Sequence, residues 1–158
     1  MDKKNKIDQY EKCTYRLSHL IGVEGKYAVD SIGKMAIISG VLKESLPYYL
    51  FVGFYRLVRN DMLIIGPYLA DRVACGTLPL GKGVCSASVT RKETVIVDDV
   101  SQFPGYIACD GGTKSEIVVP VFENGELTAV LDVDGTDYAD FDETDKHYLE
   151  EIISTYFK

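Results

Sequence analysis

Residues 116–135, EIVVPVFENGELTAVLDVDG, constrain the fold more than any other stretch. Two apolar runs rich in β-branched residues flank Glu123-Asn124-Gly125, and Asn-Gly between such runs is the strongest short-range hairpin signal. So apolar a hairpin cannot stand alone; it needs further strands beside it and a second layer over it. The chain supplies both. YYLFVGFYRLV and MLIIGPYL, separated by Arg59-Asn60-Asp61, predict a second hairpin, and ETVIVDDV a short strand. GKGVCSASVTR opens on glycine punctuation and predicts a short helix. A loose helical pattern runs over 5–20 through Ile7, Tyr10, Tyr15, Leu17 and Leu20. A second helix is expected over 26–44, its stripe formed by Ala28, Ile32, Met35, Ala36, Ile38 and Ser39 and its limit marked by Pro47. The final segment, FDETDKHYLEEIISTYFK, carries the clearest helix, with Asp142 as N-cap and Tyr148, Leu149, Ile152, Ile153, Tyr156 and Phe157 on one stripe. The order α-α-β-β-α-β-loop-β-β-α implies an α+β fold: a central, mainly antiparallel sheet of about six strands, helices packed mainly on one face, and loops free to cover the other. No repeat or low-complexity linker interrupts residues 1–158, which are expected to form a single domain.

The formal net charge is −7 and the pI near 4.8. An acidic surface repels phosphate backbones, so nucleic acid is not an expected partner. No apolar run reaches spanning length, so no membrane association is expected. The polar start, MDKKNKIDQYEK, lacks the apolar core of a signal peptide. Together these predict a cytoplasmic protein in a reducing compartment.

Four cysteines there call for chemistry or burial rather than a disulfide framework. Cys13 sits in the first predicted helix and reads as a buried small side chain. Cys75, Cys85 and Cys109 fall in or beside loops of the middle third. Structural zinc sites bring ligands in close pairs such as C-x₂-C, and none is present, so no metal is expected. A Cys-His hydrolase needs a base beside Cys109, and His19 and His147 lie on terminal helices. Two readings stay open: thiol redox chemistry, which needs one thiol to attack and a second to resolve, and inert core thiols.

The acids add to the first. Asp132 and Asp134, two apart at the end of a strand, share a face and raise each other's proton affinity. Glu116 on the preceding strand joins them only in the right register. A plain two-residue Asn124-Gly125 turn would set Glu116 opposite Val133, on the other face. A three-residue loop, or a bulge of the same effect, would set it opposite Asp132. The second register is the expected one, because it gathers the acids.

GKGVC, VDDVSQFPGYIACD, SEIVVPVF and LDVDG together resemble the free methionine-(R)-sulfoxide reductases, single-domain enzymes on the GAF fold, from about FVGFY to the last helix. The resemblance implies reduction of free methionine-(R)-sulfoxide through Cys109 as attacking, Cys75 as resolving and Cys85 as auxiliary cysteine, with a redox disulfide between Cys75 and Cys109. It implies that Glu116, Asp132 and Asp134 line the substrate pocket, with Phe51, Tyr55, Tyr106, Ile107 and Ala108 also meeting substrate. It implies thioredoxin as reductant, a homodimer, and no metal or organic cofactor. Phe51 stands where the family usually has Trp, giving an apolar wall without an indole N–H. Tyr106 stands in place of a usual His. The alternative is a GAF sensor module that binds a small ligand or senses oxidation without reductase activity.

Overall fold

A computed structural model describes residues 1–22, 25, 27–109 and 111–158. Six strands form one antiparallel sheet in the order β3-β2-β1-β6-β5-β4: β1 (Tyr49–Val58), β2 (Met62–Ala70), β3 (Thr77–Pro79), β4 (Val95–Val97), β5 (Ser115–Glu123) and β6 (Glu126–Gly135). The helices are α1 (Lys3–Ile21), α2 (Ser31–Ser45), α3 (Gly83–Arg91) and α4 (Glu143–Tyr156). The expected α+β architecture is present. β3, three residues long, was not foreseen, because so short an edge strand has no periodicity to read.

Alternation along the central strands sends two sets of side chains to opposite faces. Val52, Phe54, Ile117, Val119, Val121, Ala129, Leu131 and Val133 point to one face and pack under α1, α2 and α4 as the larger core. Phe51, Tyr55, Val118 and Val130 point the other way, where α3 and the long loops cover them. The helical stripes differ from expectation at α1 and α2. In α1 the buried residues are Lys6, Tyr10, Cys13, Leu17 and Ile21, while Tyr15 and Leu20 face solvent. A lysine leads the stripe because Asp145 waits for it inside: Lys6 Nζ donates to the Asp145 carboxylate and to the Asp140 carbonyl. In α2 the buried set is Met35, Ile38, Ser39, Val41 and Leu42; Ile32 and Ala36 are exposed. Cys13 is fully buried, as expected. At α4, Asp142 caps the helix by accepting from Thr144 N and Asp145 N, and the Asp145 side chain accepts from Asp142 N in return.

The decisive local feature is the β5–β6 hairpin. Its turn has two residues, Asn124 (φ 53°) and Gly125 (φ 79°), and Glu123 pairs with Glu126. Both turn residues have positive φ, the twist-matched geometry that Asn-Gly favours. The expected three-residue loop is absent. A bulge does the work instead: Phe122 pairs with Leu127 but Val121 with Ala129, leaving Thr128 without a partner. The Thr128 hydroxyl donates to Glu123. Beyond the bulge, Glu116 pairs with Asp134 and Val118 with Asp132. The acids share a face, as expected, but Glu116 stands opposite Asp134 rather than Asp132, because the extra residue, Thr128, lies on the β6 side of the hairpin, whereas a three-residue loop would have taken Glu123 from the β5 side.

Candidate active site

On the face away from the three long helices, β1, β6 and β5 set their inward residues side by side: Phe51 beside Asp134 beside Glu116, then Gly53 beside Asp132 beside Val118. Gly53 is required there. A Cβ at this position would lie 2.2 Å from Tyr68 Cβ on β2. Tyr68 in turn stacks on Phe51, with ring centroids 5.6 Å apart, and Phe51 on Tyr55, at 6.3 Å. Phe51 and Tyr55, with Tyr68 stacked behind Phe51, thus form one wall of a cavity whose floor is acidic. The first turn of α3 sets Cys85 into the same cavity. The segment 72–74 and the loop carrying Tyr106, Ile107 and Cys109 close it.

Cys75 and Cys109 are joined by a disulfide, with Cα atoms 5.5 Å apart across a separation of 34 residues. The Tyr55 hydroxyl donates to the Cys75 carbonyl at 3.1 Å, tying this bridge to the aromatic wall. Cys85 is free and buried.

Phe51, Tyr55, Cys85, Tyr106, Ile107, Cys109, Glu116, Asp132 and Asp134 all line the cavity. Cys75 meets it only through its bond to Cys109, and Ala108 is exposed and outside the lining. Asp110, which follows Cys109, lies outside the described residues. Sequence reasoning missed Arg72, Val73, Leu78, Lys82 and Thr113. Lys82 belongs to GKGVC and Arg72 to the segment before Cys75, so their neighbourhood, though not their orientation, was on view.

Glu116 is 5% exposed and Asp132 7%. Burial pushes the Glu116 carboxyl well above its ordinary range, and the neighbouring Asp132 and Asp134 push it further. Burial also raises Asp132, to about 6, while hydrogen bonds from Glu116 and Cys85 hold it down. Glu116 is therefore the member that keeps a proton, and Asp132 the member that accepts hydrogen bonds and ionises first. Burial and the same acids hold the Cys85 thiol protonated. One Asp132 oxygen, Oδ1, is buried with no hydrogen-bond partner. An acid whose folded pKa is raised binds more protons folded than unfolded, so its stabilising contribution is lost as pH rises through that pKa. Asp132→Asn is expected to gain about 2–3 kcal/mol over the parent at pH 8 and to differ little at pH 4, a shift of some two pKa units at about 1.4 kcal/mol each; urea titrations at the two pH values measure this.

A GAF domain family model matches residues 38–156. The free methionine-R-sulfoxide reductase of Escherichia coli is 32% identical over 150 residues, covering 95% of this chain and 87% of that protein. The Saccharomyces cerevisiae protein of the same name is 48% identical over 105 residues, covering 65% of this chain and 58% of that protein. Among solved structures, that of free methionine-R-sulfoxide reductase from Neisseria meningitidis in complex with its substrate superposes with a TM-score of 0.86 at 35% identity, covering 98% of this chain and 88% of that one. The six-stranded antiparallel sheet with its helices is the fold of a GAF domain. Within that class, the chain belongs to the family of the free methionine-R-sulfoxide reductases.

Proposed function

We propose that this chain reduces free methionine-(R)-sulfoxide, with residues 1–158 acting as one catalytic domain. The observation that carries the reading is the meeting, in one cavity, of Cys109 with three acids, one of them held protonated. A sulfoxide sulfur carries positive charge and its oxygen negative charge. Cys109, reduced, attacks at sulfur as thiolate; Glu116 donates the proton that lets the oxygen leave sulfur. The protonated oxygen passes from the substrate sulfur to the Cys109 sulfur as the bond formed between the two sulfurs breaks, so methionine departs and Cys109 holds the oxygen as a sulfenic acid. The Cys75 thiol then condenses with it, releasing water and forming a Cys75–Cys109 disulfide, the bond present in this structure. A dithiol reductant of thioredoxin type returns both cysteines to thiols.

The substrate's ammonium fits the unpartnered Asp132 oxygen through a charge-assisted hydrogen bond. Phe51 offers its face to the S-methyl group. Peptide-bound sulfoxide lacks that ammonium and would leave Asp132 buried and unpaired, which rejects it. No helix among the described residues is long and apolar enough to cross a membrane. The reducing chemistry fits a cytoplasmic setting, and the resemblance to the family favours a homodimer. The test is turnover of the separated free (R) and (S) sulfoxides with thioredoxin as reductant. Consumption of the (R) form alone is expected. No consumption of either form, with thiols fully reduced, would reject the reading.

A further inference from the structure

Cys85 stands apart from the thiol cycle: it is free while Cys75 and Cys109 are bonded. Its sulfur and one carboxylate oxygen each from Glu116 and Asp132 all lie within 4.8 Å of one another, and all three residues are buried. Donor atoms about 2.0–2.3 Å from one zinc ion stand roughly 3–4.5 Å apart. The three donors are thus close to the spacing of one tetrahedral face before any side chain turns. They come from rigid elements, α3, β5 and β6, rather than from a mobile loop. A second, independent observation points to a cation: Asp132 Oδ1 is buried without a hydrogen-bond partner and belongs to a residue lining the cavity. Among the described residues, no salt bridge reaches Glu116 or Asp132.

We infer that this pocket is also a binding site for a soft divalent cation of the zinc type, held by Cys85, Glu116 and Asp132 and exclusive with substrate. The donor set selects the ion. Binding displaces the protons of the Cys85 thiol and the Glu116 carboxyl to solvent, and the resulting thiolate with two carboxylates suits Zn²⁺ or Cd²⁺, whereas Mg²⁺ prefers an all-oxygen shell and keeps its waters. The fourth position opens into the cavity, where a water completes the shell. The ion occupies the place of the substrate's ammonium, so metal and substrate compete. Inhibition of turnover rests on the reductase reading; the binding itself does not.

The disulfide form isolates the site, because its free thiols are Cys85 and the core residue Cys13. Calorimetric titration of that form with Zn²⁺ is expected to give one ion per chain, with Mg²⁺ giving no heat at the same concentration. Cd²⁺ should produce a thiolate-to-metal absorption band. Both signals should weaken at least tenfold in Cys85→Ser and in Glu116→Gln. The unaltered protein supplies a check free of folding effects: free methionine sulfoxide, added to the same disulfide form, which has no reduced Cys109 to consume it, should displace the ion. Absence of binding, undiminished binding in Cys85→Ser, or an ion that substrate does not displace would each overturn the proposal. A protein that binds the ion as described yet turns over no sulfoxide when metal-free would leave the site standing and reject only the reductase reading.

Discussion

Cys109→Ser is expected to bring turnover of free methionine-(R)-sulfoxide down to background under every reductant, because it removes the proposed nucleophile while the other thiol lining the cavity, Cys85, is buried and held protonated. Cys75→Ser should behave differently. It keeps the proposed attacking thiol and the acids, so it should release one methionine per chain in a single burst and then stall with thioredoxin, its Cys109 left as a sulfenic acid without the resolving partner it is bonded to in this structure. Rapid-quench measurement of methionine against enzyme concentration separates the two. A full steady-state rate for Cys109→Ser would show that the chemistry lies elsewhere. A full thioredoxin-supported rate for Cys75→Ser would show that Cys75 is not the resolving residue. The distinction comes from position: Cys109 lines the cavity, whereas Cys75 reaches it only through Cys109.

The second large effect is on stability and lies on the opposite side of the sheet. Asp145 is fully buried and accepts from Lys6 Nζ, the Tyr10 hydroxyl at 2.9 Å and the Tyr48 hydroxyl at 2.6 Å. Tyr10 also shares a hydrogen bond with Tyr49, at the start of β1. Four elements or their flanks, α1, the α2–β1 turn, β1 and α4, therefore converge on one carboxylate. Asp145→Asn leaves the 3%-exposed Lys6 charged, with Asp142 as its remaining carboxylate partner. Removing one member of a buried ion pair costs about 3–5 kcal/mol, a large share of the roughly 5–15 kcal/mol that holds a domain together. The urea midpoint should fall accordingly with the slope unchanged. Lys6→Met combined with Asp145→Asn should cost less than the sum of the two single changes, because the second removes a charge that the first has already stranded. Strict additivity would show that the two side chains do not stabilise the fold as a pair.

How much of this was legible beforehand differs by element. The two hairpins, α4 with its Asp142 cap, and the burial of Cys13 follow from local rules: turn residues between β-forming runs, an apolar stripe and a small thiol within a helix. In α1, Tyr10 and Leu17 are buried as expected, but the stripe starts from a lysine that the pattern leaves out. Hydropathy places Lys6 outside, and only Asp145, 139 residues away, reverses that. In α2, Met35, Ile38 and Ser39 are buried as expected, whereas Ile32 and Ala36, which satisfy a helical period just as well, are exposed. At the site, the gathering of Glu116, Asp132 and Asp134 was legible as a requirement of register, but the device was not. Turn chemistry favoured two residues and the acids required an odd offset; nothing local announces that Thr128 absorbs the difference. Arg72 and Thr113 enter the cavity by the path of loops, which sequence pattern does not determine.

The unpaired Thr128 has a meaning for how this hairpin can change. The strand holds one residue of slack between two rigid ends, a tight turn at one and the acid-bearing rim of the cavity at the other. Loss of a single residue between 127 and 131 would flatten the kink and still deliver Glu116 opposite Asp134. The length of the connection and the composition of the cavity can therefore drift separately, so homologous hairpins one residue shorter need not have lost their acids.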